Sequence, residues 1–547
     1  MKSAHFFGGR VHMKKNTFLR GALIVSAGGI AAKALGALYR IPLTNNLGGE
    51  GMGIYQMVFP FYCLLLTLSA TGIPAAVARL VASSPARAGG VLRSSLMLFS
   101  LIGAASALLM YALAPAMSAL QGAPAAASAY RLLSPALFFV AVISCYRGRF
   151  QGENNFLPTA LSEIVEQAVK IGCGLAFFAF FSGTRAVPFA FCAVTLSEAA
   201  AALFLALCAR PVRRPLFREG GVRAASLLFV TLPVTLSAAV LPLSNLLDSI
   251  LIVRLVGRYA SDATALYGLY AGGASTIVNL PVSVCYGIAA ACVPAVARAK
   301  DAREAEEKTC FALMCTLLIA LPASLFLFLF PAQVTSFLFR SLPSQESAVL
   351  AGLVRASAFS ALLLALVQTL ASCMAGRGQA KRAALYMGIA AAVKLACECI
   401  LLPVPRISVY GAAYACIACY LVALLLDLLY SIRERKNRLR LIAEAGRAGM
   451  LSAAAAGAAL ALRGAHVLFL LGAGGAVYLA FGALSFALIG ERSLLRRKRH
   501  GHDRRFGLQS RGSRRRRKAD ARLGRARHSA HGRDARGGGR PRAGRAL

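Results

Sequence analysis

SEIVEQAVKIGCG, residues 162–174, sets three charged side chains, Glu163, Glu166 and Lys170, inside an apolar stretch running from Leu157 to Phe181. That stretch is long enough for a helix to cross a hydrocarbon layer about 30 Å thick. An ionised side chain at mid-bilayer costs about 2.5–3.5 kcal/mol on insertion scales, so these three must face protein or water rather than lipid. At about 100° per residue, positions 163, 166 and 170 share one helix face, and Glu166 and Lys170 form an i,i+4 pair. The segment therefore reads as a membrane helix with an ionised stripe turned inward.

The rest of the chain places this helix among many. The 547 residues are 58% hydrophobic with a mean hydropathy of +0.64, and 15% are charged, against about 25% in soluble domains. Fourteen apolar runs recur, at 18–41, 54–78, 94–114, 130–148, 157–181, 187–209, 225–252, 267–296, 309–331, 349–374, 383–403, 409–431, 446–463 and 466–490. The first run holds Lys33 and Arg40 and lacks a signal-peptide cleavage pattern, so it is expected to stay as a span. Seven alternate connections, counting the amino terminus, carry twenty-eight Lys and Arg, and the seven between them carry seven. Basic residues favour cytoplasmic loops, so this alternation predicts an even number of spans with both termini cytoplasmic.

Internal repetition organises the spans. GIPAAVARLV at 72–81 returns as CVPAVARAKD at 292–301, and EQAVKIGCG at 166–174 returns as AAAVKLACE at 390–398. Lys170 and Lys394 thus stand at matching positions, with Gly152 and Gly376 preceding them at the same offset. Both matches pair helix n with helix n+6. The fold class expected is an all-α polytopic membrane protein of about 14 transmembrane helices, in two parallel six-helix lobes plus two C-terminal helices. The corresponding segments are a cytoplasmic start at 1–17, an N-lobe at 18–209, a basic linker at 210–224 and a C-lobe at 225–431. A basic loop at 432–445, two further helices at 446–490 and a basic tail at 491–547 complete the chain.

Other chemistry is poorly represented. Most of the fourteen cysteines lie in the apolar runs, and Cys416 and Cys419 have CxxC spacing without a second pair or a neighbouring histidine, so no metal or cofactor is expected. No GxSxG or P-loop pattern occurs, and no enzyme is indicated. The tail carries 21 Lys and Arg against 4 acids, but without interleaved aromatics it points to anionic membrane lipids rather than nucleic acid.

The combination of KNTFLRGALIVSAGGIAAKALGALYRIPLTNNLGGEGMGIYQMVFPFY (15–62), SATGIPAAVARLVA (69–82), YRGRFQGENNFLPTALSEIVEQAVK (146–170), LPLSNLLDSILIVRLV (241–256) and LYGLYAGGASTIVNLPVSV (266–284) resembles a known family. It is similar to the stage V sporulation protein B-like polysaccharide biosynthesis proteins of the multidrug, oligosaccharidyl-lipid and polysaccharide (MOP) exporter superfamily, across roughly residues 14–490. The resemblance implies two lobes around a cavity that moves a lipid-linked cell-wall precursor across the cytoplasmic membrane. It matches Lys33, with Gly36 three residues on, to a basic first-helix motif. Arg40 falls near that motif's second basic position, out of strict register, and Asp248 matches an acid of the seventh helix. Related lipid II flippases place an arginine on the eighth helix where this chain reads YAGGAS, which weakens transfer of their binding site.

Within that reading, Lys33, Arg40, Lys170, Arg355 and Lys394 are the candidate cavity cations for a diphosphate head group. Glu163, Glu166, Asp248 and Glu398 would hold these cations in place or bind a coupling ion, with H+, Na+ or the membrane potential as the energy source. The substrate partner expected is a lipid-linked oligosaccharide, with cell-wall synthases as further partners. Two other functions fit the sequence: a cation-coupled multidrug exporter of the same superfamily, and a non-transporting scaffold for those synthases.

Overall fold

The computed structural model describes residues 15–70, 72–83, 88–209, 239–432, 434–461, 469–470 and 472–478, and all regular elements among them are helical. This is what a bilayer requires, because a helix satisfies its own backbone hydrogen bonds where water cannot. The expected linker 210–224, the start of the run at 225–252 and the tail 491–547 lie outside the described residues.

The first half comprises α1 (Lys15–Ala70), α2 (Ile73–Ser83), α3 (Ala88–Leu120), α4 (Ala126–Leu133), α5 (Ala136–Gly152), α6 (Leu157–Phe178) and α7 (Val187–Cys208). The second comprises α8 (Val240–Val256), α9 (Ala263–Gly268), a π-helical turn (Leu269–Ala274), α10 (Ser275–Ala297), α11 (Ala302–Leu329), α12 (Pro331–Leu338), α13 (Ser344–Gly376), α14 (Ala380–Leu401) and α15 (Tyr410–Ser431). α16 (Arg435–Ala461) follows. Nine helical stretches among the described residues are long and apolar enough to cross a membrane, so the chain is a multi-pass membrane protein. Each coincides with one of the fourteen apolar runs. Of the other five runs, 18–41 lies in the first arm of α1. The run at 157–181 is α6, whose three charges set it apart from the purely apolar spans. The run at 225–252 is described only from residue 239, 446–463 lies in α16 beyond its charged first turns, and 466–490 is mostly outside the described residues.

α1 joins what the sequence reads as two helices. The break is at Gly48, whose φ of 66° lies in the left-handed region that glycine enters without strain. Further on, Pro60 removes a backbone N–H and so releases the Gln56 carbonyl. The Tyr267 hydroxyl from the second half donates to that oxygen at 3.3 Å. The neighbouring Met57 carbonyl accepts from Gln121 Nε2 at 2.9 Å and from the Tyr130 hydroxyl at 3.2 Å. These carbonyls are thus met by buried side chains from outside α1.

The repeated segments pack alike. A Cβ on Gly152 would lie 2.7 Å from Val81 Cβ, and one on Gly376 would lie 2.7 Å from the Val293 carbonyl oxygen. In each half, therefore, the matched glycine lets its helix close onto the segment containing the other repeat.

α1 packs against α8, α9, the π-turn and α10 of the second half. Hydrogen bonds between the halves gather where α3 and α8 end and where α12 passes to α13. Asn45 Nδ2 donates to the Leu338 carbonyl at 3.0 Å, the Gly49 N–H to Glu346 Oε2 at 3.1 Å, Gln121 Nε2 to Ser249 Oγ at 3.1 Å and Arg254 Nε to the Leu120 carbonyl at 2.8 Å. At the same end Gly53 rests on the backbone of Thr264 and of Gly268, an approach that leaves no room for a side chain.

Candidate functional site

Beneath that closed end the halves enclose a cavity of about 840 Å³. Three walls come from the first half: α1 between Ala32 and Leu66, Arg147 of α5 with one face of α6, and Val194, Ser197 and Glu198 of α7. The fourth is the face of α10 that carries Thr276, Asn279, Ser283, Tyr286 and Ala290. The ionised stripe that opened the sequence question faces this space: Glu163, Glu166 and Lys170 all line it. Protein charges in the hydrocarbon region are accommodated at such a place because they border polar space instead of lipid.

Arg40 reaches the cavity from α1, and its Nη1 donates to Thr276 Oγ1 at 3.2 Å, so a second-half hydroxyl positions a first-half cation. Thr276 follows the π-turn and donates its own proton to the Gly272 carbonyl. The sequence pairs Glu166 with Lys170. The structure pairs Glu166 with Arg147 instead, Nη2 to Oε2 at 3.2 Å, while Arg147 Nε donates to Ser162 Oγ at 3.0 Å. Gln167 Nε2 supplies another donor to Glu166, at 3.2 Å. Among the described residues neither Arg40 nor Lys170 has a carboxylate oxygen within 4 Å, so both cations keep hydrogen-bonding capacity directed at the cavity.

Lys394 does not share this setting. The expectation of matched lysines in one cavity is corrected by burial: Lys394 is 8% exposed, Asp248 7% and Glu398 0%. The Lys394 ammonium bonds Asp248 Oδ2 and stands 3.6 Å from Glu398 Oε1. These three charges join α14 to α8 and do not line the cavity. Arg355, also expected there, is exposed on α13. Lys33 lies on α1 beside the cavity-lining Ala32 and Gly36, and its side chain is outside the described part of the structure.

Two cavity residues escaped the candidate set. Arg147 falls at the very end of the apolar run 130–148, where it counts among the basic residues of the following connection, but α5 stays helical to Gly152 and carries it inward. Glu198 stands alone in an apolar run, and only the packing of its helix shows that it lines the cavity.

Residues 18–300 match the polysaccharide biosynthesis protein family. Over 318 residues the chain is 29% identical to stage V sporulation protein B of Bacillus subtilis (strain 168), a match covering 53% of this chain and 60% of that protein's length. Among solved structures, the lipid II flippase MurJ in an inward closed conformation superposes with a TM-score of 0.68 at 14% identity, over 85% of this chain and 99% of that one. A multidrug resistance MATE family transporter of the MOP superfamily, in its inward-facing conformation, superposes with a TM-score of 0.62 at 18% identity, over 78% and 98%. At these identities the superpositions speak for the fold alone. Since more than half of the sequence matches the family directly, the chain belongs to the polysaccharide biosynthesis protein family and has the fold of the MOP superfamily.

Proposed function

We propose that this protein is an alternating-access flippase that moves a polyprenyl-diphosphate-linked cell-wall precursor, of the lipid II kind, across the cytoplasmic membrane. The observation that carries the reading is the pair Arg40 and Lys170, two cations free of carboxylates among the described residues, on the walls of one intramembrane cavity. A diphosphate offers oxygens to both, and charge-assisted hydrogen bonds are the strong ones in such surroundings. The lipid tail need not leave the hydrocarbon while the head group crosses.

In this reading fourteen helices form two six-helix lobes and a C-terminal pair, and the lobes rock about the cavity. The charge alternation puts the closed end outside, so the cavity would be entered from the cytoplasm. An inside-negative potential, worth about 2.3 kcal/mol per charge per 100 mV, would favour outward movement of the anion. The polysaccharide biosynthesis family match supports this class of activity, the superpositions supply its fold, and the head group is our inference from the cations.

Glu163, Glu166 and Glu198 support a second reading, an exporter of organic cations, because they border the same space. Liposomes containing the purified full chain and a fluorescent polyprenyl diphosphate sugar separate the two. Translocation that falls with Lys170→Ala supports the flippase, whereas no lipid movement together with uptake of an organic cation would overturn it.

A further inference from the structure

Beside Arg40 and Lys170 the cavity wall holds groups of the opposite hydrogen-bonding character. Tyr62 on α1 is 3% exposed, and its hydroxyl has no partner. Gln167 on α6 is 9% exposed; its amide nitrogen is committed to Glu166, while Oε1 has no partner. Glu198 on α7 is likewise 9% exposed, and among the described residues it makes no hydrogen bond or ion pair. All three line the cavity. The charged groups that act on Glu198 are Glu166, Arg147 and Lys170, and Glu166 and Arg147 already neutralise one another.

A buried amide oxygen and a buried hydroxyl without partners are costly to keep unless a ligand completes their hydrogen bonds. An amide oxygen and an ionised carboxylate have no proton to give a phosphate. They call for O–H or N–H donors, and the Tyr62 hydroxyl can give to, or accept from, the same partner. A free metal cation is a poor match, because the basic Lys170 and Arg40 line the same cavity.

Resting on the flippase reading above, we infer that Glu198, Gln167 and Tyr62 form a second subsite, which recognises the hydroxyl and amide donors of the sugar attached to the diphosphate. The anionic part of the head group lies on Arg40 and Lys170, and the donor-rich part is read by this trio. The protein then discriminates a glycosylated polyprenyl diphosphate from the bare one. Without the sugar the Gln167 amide oxygen and the Tyr62 hydroxyl keep no protein partner, which is how sites built to bind an O–H or N–H reject analogues that lack it.

The test uses the full chain in nanodiscs with two probes, fluorescent polyprenyl diphosphate and the same lipid bearing one N-acetylated hexose. The wild type is expected to prefer the glycosylated probe by about tenfold or more. Glu198→Ala, Glu198→Gln and Tyr62→Phe should each bring the ratio of the two affinities towards one, whereas Lys170→Ala should weaken both probes together and keep the ratio. Glu198→Gln and Tyr62→Phe preserve side-chain shape, so the comparison survives if the alanine variant unfolds. Equal wild-type affinity for the two probes, or a ratio unmoved in the shape-preserving variants, overturns the subsite and leaves the flippase intact. Binding of neither probe by the wild type overturns the flippase reading itself and the subsite with it.

Discussion

Lys170 and Lys394 occupy matching places in two similar stretches of sequence, yet they meet opposite surroundings. Lys170 looks into a cavity and has no carboxylate within ion-pairing distance among the described residues. Lys394 is enclosed between Asp248 and Glu398. The residue four positions on explains part of this difference: Glu398 follows Lys394, whereas Gly174 follows Lys170 and leaves room for the Tyr39 ring. Helix contacts explain the rest. α14 packs against α8, which brings Asp248, while α6 packs against α1 and α7, which between them frame the cavity. A repeated lysine can thus serve as a structural counter-ion in one half and as a ligand-facing cation in the other.

The largest effect should come from the enclosed cluster. Lys394→Met leaves two buried carboxylates without their cation and should cost about 3–5 kcal/mol of stability, read as thermal unfolding of the purified protein. Adding Asp248→Asn and Glu398→Gln to it should recover most of that loss, since buried charges replaced together are close to neutral. At the cavity the pattern should invert. Lys170→Ala should lower translocation of a labelled polyprenyl diphosphate sugar by about tenfold or more, the worth of one charge-assisted hydrogen bond, with unfolding shifted by less than about 1 kcal/mol. A Lys170 variant as unstable as the Lys394 variant would erase the contrast.

Arg147→Ala is intermediate. It strips Glu166 of its ion pair, and because both side chains are 20% exposed the stability loss should be about 1 kcal/mol. Arg355→Ala should do least, within about 0.5 kcal/mol in unfolding and with transport unchanged, as expected of an exposed position. A strong transport defect there would extend the cationic surface beyond the cavity.

Much of this was readable before any coordinates. Helical periodicity turns Glu163, Glu166 and Lys170 to one inward face, and they line the cavity. Lys394 and Glu398 stand at i,i+4 spacing in the sequence, and the two groups lie 3.6 Å apart. What escaped were partners from other helices. Arg147, nineteen residues from Glu166, displaced the nearer Lys170 because the end of α5 meets α6 there and offers a planar, forked donor that also reaches Ser162. Asp248, 146 residues from Lys394, could be matched to a helix but not to that ammonium.

Composition, periodicity and charge alternation alone determine that this chain crosses the membrane many times and must hide its ionised groups from lipid. Those properties follow from transfer energies that depend on residue type and local spacing. Which hidden charges neutralise one another, and which remain available to a ligand, was settled only when helices from distant parts of the chain came together. Coulomb and hydrogen-bond energies depend on separation in space, and in this protein the deciding separations lie between helices, not along them.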